Sequence, residues 1–411
     1  MTSTQVKQGW QKVKLSEIAE IIMGQSPKSE YYTNNLDDLP FYQGCTEFQE
    51  LYPIDRQYCS TPTKIAERND ILMSVRAPVG LLNISTKKCC IGRGLCAIRP
   101  KLSSYWFLYY LLKANVEYIQ SFQKGSVYGA VNKNDVINLE FLIPNKDEVQ
   151  QKIASILSAF DDLIENNTKR IKILENTAQL IYKEWFVDFK FPGHEKVKMV
   201  DRGTEFGEMP EGWEVKEIGE VIETLGGGTP STKIEEYWEC GDVNWFSPVD
   251  LTKNGMLFIT NSGNKINQLG LQKSSAKMFP AYSVMMTSRA TIGVVAINTT
   301  PACTNQGFIT CIPNKILSAY QIYFWLEQNM SLINNLASGA TFKEITKTNF
   351  RKIPITISDN EISEEFTRLV KPIFNEIENL QEQIFRLRET RDLLLPKLVG
   401  GEVEVDNLTI N

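Results

Sequence analysis

Ile153, Leu157, Phe160, Ile164, Asn167, Ile171, Leu174, Ala178, Ile181 and Trp185 recur at alternating spacings of four and three. At an offset of 213 residues, Phe366, Val370, Ile373, Ile377, Leu380, Ile384, Leu387, Arg391, Leu394 and Leu398 repeat the same spacing. All but Asn167 and Arg391 are apolar, which is the seam of a coiled coil and is narrower than the stripe by which a helix covers a broad core. A helix from Ile153 to Trp185 runs about 50 Å at its usual rise per residue. Two core helices in separate domains are the plainer alternative, but each would expose a seam too narrow for such a core. Pairing the two seams is the more economical reading, with Ile164, Asn167, Ile171 and Leu174 on one helix and Ile377, Leu380, Ile384 and Leu387 on the other. Asn167, facing an otherwise apolar chain, fixes register. Pro372 predicts a kink or a late start in the second helix.

Working outward, the rest of the chain repeats as well. Gly9-Trp10 through Gly24-Gln25-Ser26-Pro27 aligns without a gap to Gly212-Trp213 through Gly227-Gly228-Thr229-Pro230. Ile71 to Gly80 then matches Val284 to Gly293, and Cys90, Gly94 and Pro100 meet Cys303, Gly307 and Pro313. Several matches in one order indicate duplication, with an insertion in the second copy between Pro230 and Val284. An approximate two-fold axis would set the two helices antiparallel, with one globular domain at each end. The expected fold class is α+β, with two strand-rich domains in tandem repeat separated by two long helices forming an antiparallel coiled coil. The divisions are 1–150 (first domain), 151–188 (first helix), 189–211 (linker), 212–360 (second domain), 361–400 (second helix) and 401–411 (tail). Strands are expected in Asp70 to Ile84, Leu95 to Ile98, Val284 to Ile297 and Phe308 to Ile312. One helix is expected in each domain, over Ser103 to Phe122 and Leu317 to Leu336, with Tyr105, Phe107, Leu108 and Leu111 in the core.

Composition narrows the function. The 411 residues carry a net charge of -5, and no apolar run approaches the ~18 residues that span a bilayer. With no signal peptide before Trp10, a cytoplasmic protein without membrane contact is expected. The 8 cysteines include no CxxC, so neither a zinc site nor a disulfide framework is signalled. A single histidine, His194, nearly removes His-dependent triads and His-rich metal sites. Residues 361–411 hold 6 Lys+Arg against 11 Asp+Glu, so most of the acid excess lies on the terminal helix and tail. The two globular domains are near neutral and able to carry local basic faces.

No loop offers a catalytic constellation. Gly226-Gly227-Gly228-Thr229-Pro230-Ser231-Thr232-Lys233 lacks the Gly-Lys-Ser/Thr of a nucleotide-cradling loop. Its Gly, hydroxyl and Lys content suits a nucleic-acid phosphate better, as does that of its partner Gly24, Gln25, Ser26 and Lys28. Three more matched sites have the same character. Arg76 pairs with Arg289, and Arg93 with Gln306. The stretch with Ser126, Tyr128 and Lys133 pairs with the one holding Thr341, Lys343 and Lys347. Arg, Lys, Gln and Asn read base edges, and small hydroxyl residues grip phosphate. Each residue alone is also what a solvated turn offers, and Arg76 and Arg289 are equally explained by folding; the set as a whole favours DNA. Positions that differ between copies, Arg93 against Gln306 and Gln43 against Ser247, are what two domains reading different sequences would show.

The chain resembles the specificity subunits of type I restriction-modification systems over essentially its full length. The resemblance rests on the two-copy plan, on Ile181-Tyr182-Lys183-Glu184-Trp185-Phe186-Val187-Asp188-Phe189, and on Leu387-Arg388-Glu389-Thr390-Arg391-Asp392-Leu393-Leu394-Leu395-Pro396-Lys397-Leu398. Gly212-Trp213 and the Gly-Gly-Thr-Pro loop at Gly227 to Pro230 add to it; Met23-Gly24-Gln25-Ser26-Pro27 departs from that loop form, which leaves the first domain's contacts less defined. The resemblance implies a non-catalytic subunit whose two target recognition domains each read half of a bipartite site in double-stranded DNA. It also implies helices that act as a spacer and dock two modification subunits, and restriction subunits joining the complex. This chain would bind no cofactor, and S-adenosylmethionine, ATP and Mg would lie on the partners. The alternatives are an adenine methyltransferase in its own right, which needs an Asn/Asp-Pro-Pro-aromatic motif in a chain without any Pro-Pro, and a coiled-coil scaffold without nucleic acid.

Overall fold

The computed structural model describes residues 7–124, 129–201, 203, 207–339 and 343–405. By contacts the chain divides into two units, Met1–Glu165 with Phe385–Asn411, and Asn166–Ile384. Each unit therefore takes one globular domain, a part of the long helix that follows it and a part of the other copy's helix.

In the first unit an antiparallel sheet runs in the order Ala19–Met23, Leu95–Pro100, Ile71–Ser74, Leu82–Ile84. Its central strands alternate in what they cover, as a period of two requires. Ile71, Met73, Cys96 and Ile98 pack toward the helix Tyr105–Ala114, while Leu72, Leu95 and Ala97 pack toward Tyr42 and Ile91 of a second, mixed sheet. With both faces covered, the strand Ile71–Ser74 is buried throughout, which is why it reads as an unbroken apolar run. The second unit repeats this sheet as Glu223–Gly226, Phe308–Ile312, Val284–Thr287, Val295–Asn298, with Phe258–Ile259 added at its edge. The register is the same in both: Cys96 faces Met73 as Ile309 faces Met286, and Cys96 faces Met23 as Ile309 faces Gly226. A ribbon of Trp10–Lys14 on Glu140–Pro144 is repeated by Glu214–Glu217 on Pro354–Ile357.

The domain helices fall where expected but each is broken. Tyr105–Ala114 is followed by Val116–Gln120, and Ala319–Gln328 by Met330–Leu336. The matched breaks are Asn115 and Asn329, whose side-chain amides donate to Leu111 O and Trp325 O (both 2.8 Å) and so take up carbonyls of the last turn. Phe107, Leu108 and Leu111 are buried, and Tyr105 packs at the edge of the same core.

The long helices are Asp147–Phe186 and Asn360–Val399. The first starts ahead of residue 151 because Asp147 and Glu148 suit a helix N-terminus and Gln150 Nε2 donates to Pro144 O (2.9 Å). Pro372 does not delay the second helix, which is continuous through it. Pro372 is exposed while Val370 and Phe374 beside it are buried, and that burial outweighs the roughly 3 kcal/mol a helical proline costs. Within each unit the helix segments run antiparallel. In the first, Asp161 meets Arg391; in the second, Arg170 meets Glu376 (2.6 Å) and Tyr182 and Trp185 meet Phe366. Asn167, buried in the seam, donates to Gln383 Oε1 (3.2 Å), so its partner is polar and not the apolar chain expected. The apolar stripe widens toward the domains, where Ala154, Leu395 and Val399 join Ile153, Leu157 and Leu398 in the first domain's core. No helix among the described residues is long and apolar enough to cross a membrane.

Candidate nucleic-acid interface

In the first unit a chain of hydrogen bonds gathers most of the candidate residues. Gly24 N donates to Leu95 O (2.9 Å), and a Cβ at Gly24 would stand 2.1 Å from Gly92 O, so only glycine allows this approach. Gln25 N donates to Ile91 O (3.0 Å), and Gln25 O accepts from Thr63 Oγ1. Ser26 Oγ donates to Gln43 Oε1 (2.8 Å) and accepts from Arg93 N (3.2 Å). Gly94 N donates to Gln43 O (3.1 Å), while Val75 N donates to Gly94 O (2.9 Å), which holds Arg76 at the end of its strand beside this cluster. Val131 N donates to Val75 O (3.0 Å) and brings in the following loop, where Lys133 opens the helix Lys133–Ile137 behind its cap Asn132. Gln25, Arg76, Arg93 and Lys133 are exposed. Lys28 pairs with Glu30 (3.5 Å) and joins no other candidate.

The second unit builds the same arrangement on the same backbone. A Cβ at Gly227 would lie 2.0 Å from Asn305 O. Gly228 N donates to Thr304 O (2.9 Å), and Gly228 O accepts from Trp245 Nε1 (2.8 Å). Thr229 Oγ1 donates to Gln306 Oε1, as Ser26 does to Gln43. Ser288 N donates to Gly307 O (2.7 Å) and Ile345 N to Ser288 O (3.1 Å), which places Arg289 as Arg76 is placed. Ala290 N donates to Lys343 O (3.1 Å), and Lys347 opens the helix Lys347–Arg351 behind Thr346. Thr229, Arg289, Gln306, Lys343 and Lys347 are exposed, as are Ser231 and Lys233 on the turn beyond Pro230. Ser247 is not gathered with them: its Oγ donates to Asp250 Oδ2 (2.7 Å) and caps the helix Pro248–Asn254, so it does not stand in for Gln43. Ser126, Tyr128 and Thr341 lie outside the described residues.

Three contributors were not singled out by sequence. Thr63 and Asn305 brace the loops, Asn305 Oδ1 accepting from Gly307 N (2.8 Å). Glu344 binds Arg289, its Oε1 accepting from Nε (2.8 Å). Its signal was an acid in the second copy where the first has Ala130. What the clusters can do is present guanidinium, amide and ammonium donors on strand ends held by backbone bonds, which suits phosphate oxygens and base edges. Among the described residues no group of three or more His, Cys, Asp or Glu side chains could hold a metal ion, and the described cysteines are free.

Residues 7–176 and 210–385 each match the type I restriction modification DNA specificity domain. The chain belongs to the type I restriction-modification specificity subunits. The specificity subunit is 29% identical over 421 residues to the type I restriction enzyme MjaIX specificity subunit of Methanocaldococcus jannaschii, covering 98% of this chain and 95% of that one. It is 29% identical over 381 residues to the HindI specificity subunit of Haemophilus influenzae, covering 78% and 81%. In fold it is similar to the crystal structure of a type I restriction-modification S subunit from M. genitalium, with a TM-score of 0.60, 16% identity and 97% of each chain covered.

Proposed function

We propose that residues 1–150 and 212–360 are target recognition domains, each binding one half of a bipartite site in double-stranded DNA, and that the helices set the gap between the halves. The observation that carries this reading is the pair of loop clusters, alike in backbone bonding and unlike in side chains, with Arg93 answered by Gln306. A shared frame with changed tips is how one architecture reads two sequences.

The chain itself performs no chemistry in this reading. Methyl transfer to adenine falls to two modification subunits docked on the helices, with S-adenosylmethionine, and cleavage falls to restriction subunits using ATP and Mg. Leu180 and Leu393 support docking of two copies of one partner, because they occupy equivalent positions of the two helices and are 63% and 67% exposed. A methyltransferase acting alone is disfavoured by the absence of any Pro-Pro dipeptide. The test is methyl transfer to random-sequence DNA by the purified chain, alone and then with a modification subunit. No activity alone and methylation confined to one bipartite sequence with the partner are expected. Activity of the chain alone, or methylation without sequence preference, contradicts the reading.

A further inference from the structure

The described ends of the hairpins beside Arg76 and Arg289 close with matching backbone bonds, and where the first has Ala130 opposite its arginine the second has Glu344. Lys124 and Ala130 exchange both backbone hydrogen bonds (3.0 and 3.2 Å), and Ala130 forms an antiparallel bridge with Arg76. Ser338 and Glu344 exchange theirs (3.0 and 2.9 Å), and Glu344 forms the same bridge with Arg289. Residues opposed in such a bridge put their side chains within reach of each other. Glu344 therefore takes Arg289 Nε at 2.8 Å, with side chains 37% and 45% exposed, whereas Ala130 has nothing to offer Arg76. The Arg289 Nη1 and Nη2 groups have no hydrogen-bond partner among the described residues.

An exposed arginine beside DNA has two kinds of target. Phosphates attract it at every position through a long-range, sequence-blind force, and base edges reward it only in one register through short, directed bonds. A carboxylate on Nε cancels most of the long-range attraction and repels phosphate itself. It leaves the two terminal nitrogens free, and fixes the plane in which they meet a guanine edge.

We propose that Glu344 is a positioning residue that converts Arg289 from a phosphate anchor into a sequence-selective contact. Arg76, lacking such a partner, supplies affinity more than discrimination, so the second domain is the stricter reader. This rests on the recognition reading above, and specificity of this kind comes from suppressing wrong contacts as much as from adding right ones.

The test is selection from a randomised duplex library by the full chain with its modification subunit, with binding to the unselected library measured over a salt series. Glu344→Ala and Glu344→Gln are expected to tighten binding to the unselected library about fivefold at physiological salt, and to steepen the log–log salt slope by about 0.9, one phosphate contact's worth. They are also expected to relax preference only in the half that Arg289→Ala alters, while Glu344→Asp keeps wild-type preference. Ala130→Glu is expected to do the reverse in the other half. If the wild type selects a sequence and the Glu344 variants leave bulk affinity, slope and preference unchanged, or loosen both halves alike, this assignment is overturned while the recognition reading stands. If the wild type selects no sequence, both fall.

Discussion

The two units carry the same helix junction in opposite chemistry. In the first, Tyr110, Asp161 and Arg391 meet in a buried polar knot: Tyr110 OH donates to Asp161 Oδ2 (2.6 Å) and Arg391 Nη1 donates to Asp161 Oδ1. Glu50 extends it, accepting from Arg388 Nε (3.0 Å) and Arg391 Nη1 (3.4 Å). In the second, the positions offset by 213 residues are Tyr323, Phe374 and Ala178. There Phe374 is 1% exposed among Tyr320, Tyr323, Phe324 and Phe258, with ring centroids 4.3 to 6.3 Å away, and Ala178 is fully buried. One junction is held by directed, charge-assisted bonds, the other by aromatic burial. Both fill the same backbone frame, so duplication preserved the frame and left the means of holding it free to change.

The knot also shifts its own titrations. Burial pushes the Tyr110 hydroxyl up, and the Asp161 charge pushes it further. Burial alone would raise Glu50, but Arg388 and Arg391 hold its carboxyl below the usual range. In the second unit Glu175 is raised by burial and then by the Glu327 charge, and Glu327 by burial.

The sharpest way to break the comparison is Arg391→Ala, which leaves the fully buried Asp161 without its cation and should cost about 3–5 kcal/mol in denaturant unfolding. Adding Asp161→Leu to Arg391→Met removes both charges while Arg388 still holds Glu50, and most of the loss should return. If the double variant is as unstable as Arg391→Ala, the knot is not replaceable by apolar packing and the comparison fails. A smaller effect separates the matched tyrosines. Tyr110→Phe should cost about 1–3 kcal/mol, because it strips a donor from a buried carboxylate, while Tyr323→Phe should stay within about 0.5 kcal/mol. Equal losses would show that the hydroxyl at Tyr110 is not part of the holding network.

The smallest effect concerns pH. A carboxyl raised in the folded state binds its proton more tightly there, so its penalty is absent below the unfolded pKa and grows as pH rises through the folded one. Glu175→Gln should therefore raise Tm by about 2 °C near pH 8 and by progressively less toward pH 4. Glu50 has the opposite sign: its contribution is present above the unfolded pKa and fades as pH falls through the lowered folded value. Glu50→Gln should therefore destabilise near neutral pH and less in acid. A stabilising Glu50→Gln at neutral pH would contradict the sign.

Much of this was readable in the chain because it depends on periodicity. The seam spacing located both helices, and β-rich runs broken by Gly, Pro and Asn, together with the matched Ile71 and Val284 segments, located strands of the sheet. Asp161 was not legible, since it lies one residue outside the spacing of the seam and its partner is 230 residues away; the polar Arg391 in an apolar seam was the only hint of it. The breaks at Asn115 and Asn329 depend on amide bonds to the preceding turn, which helical periodicity does not encode. Pro372 does not delay the start of its helix, because local propensity is overridden where neighbouring side chains are buried. Among the loop candidates, Ser26, Gln43 and Arg93 are joined by direct bonds, whereas Ser247 became a helix cap because Asp250 stands three residues on.

The central claim, that each domain reads one half of the target independently, is tested most directly by sequencing methylated sites made by the complex carrying Arg76→Ala or Arg289→Ala. Each variant is expected to change base preference in one half only, and the two variants to change different halves. Both variants altering the same half, or each altering both halves in a normally folded protein, would contradict it.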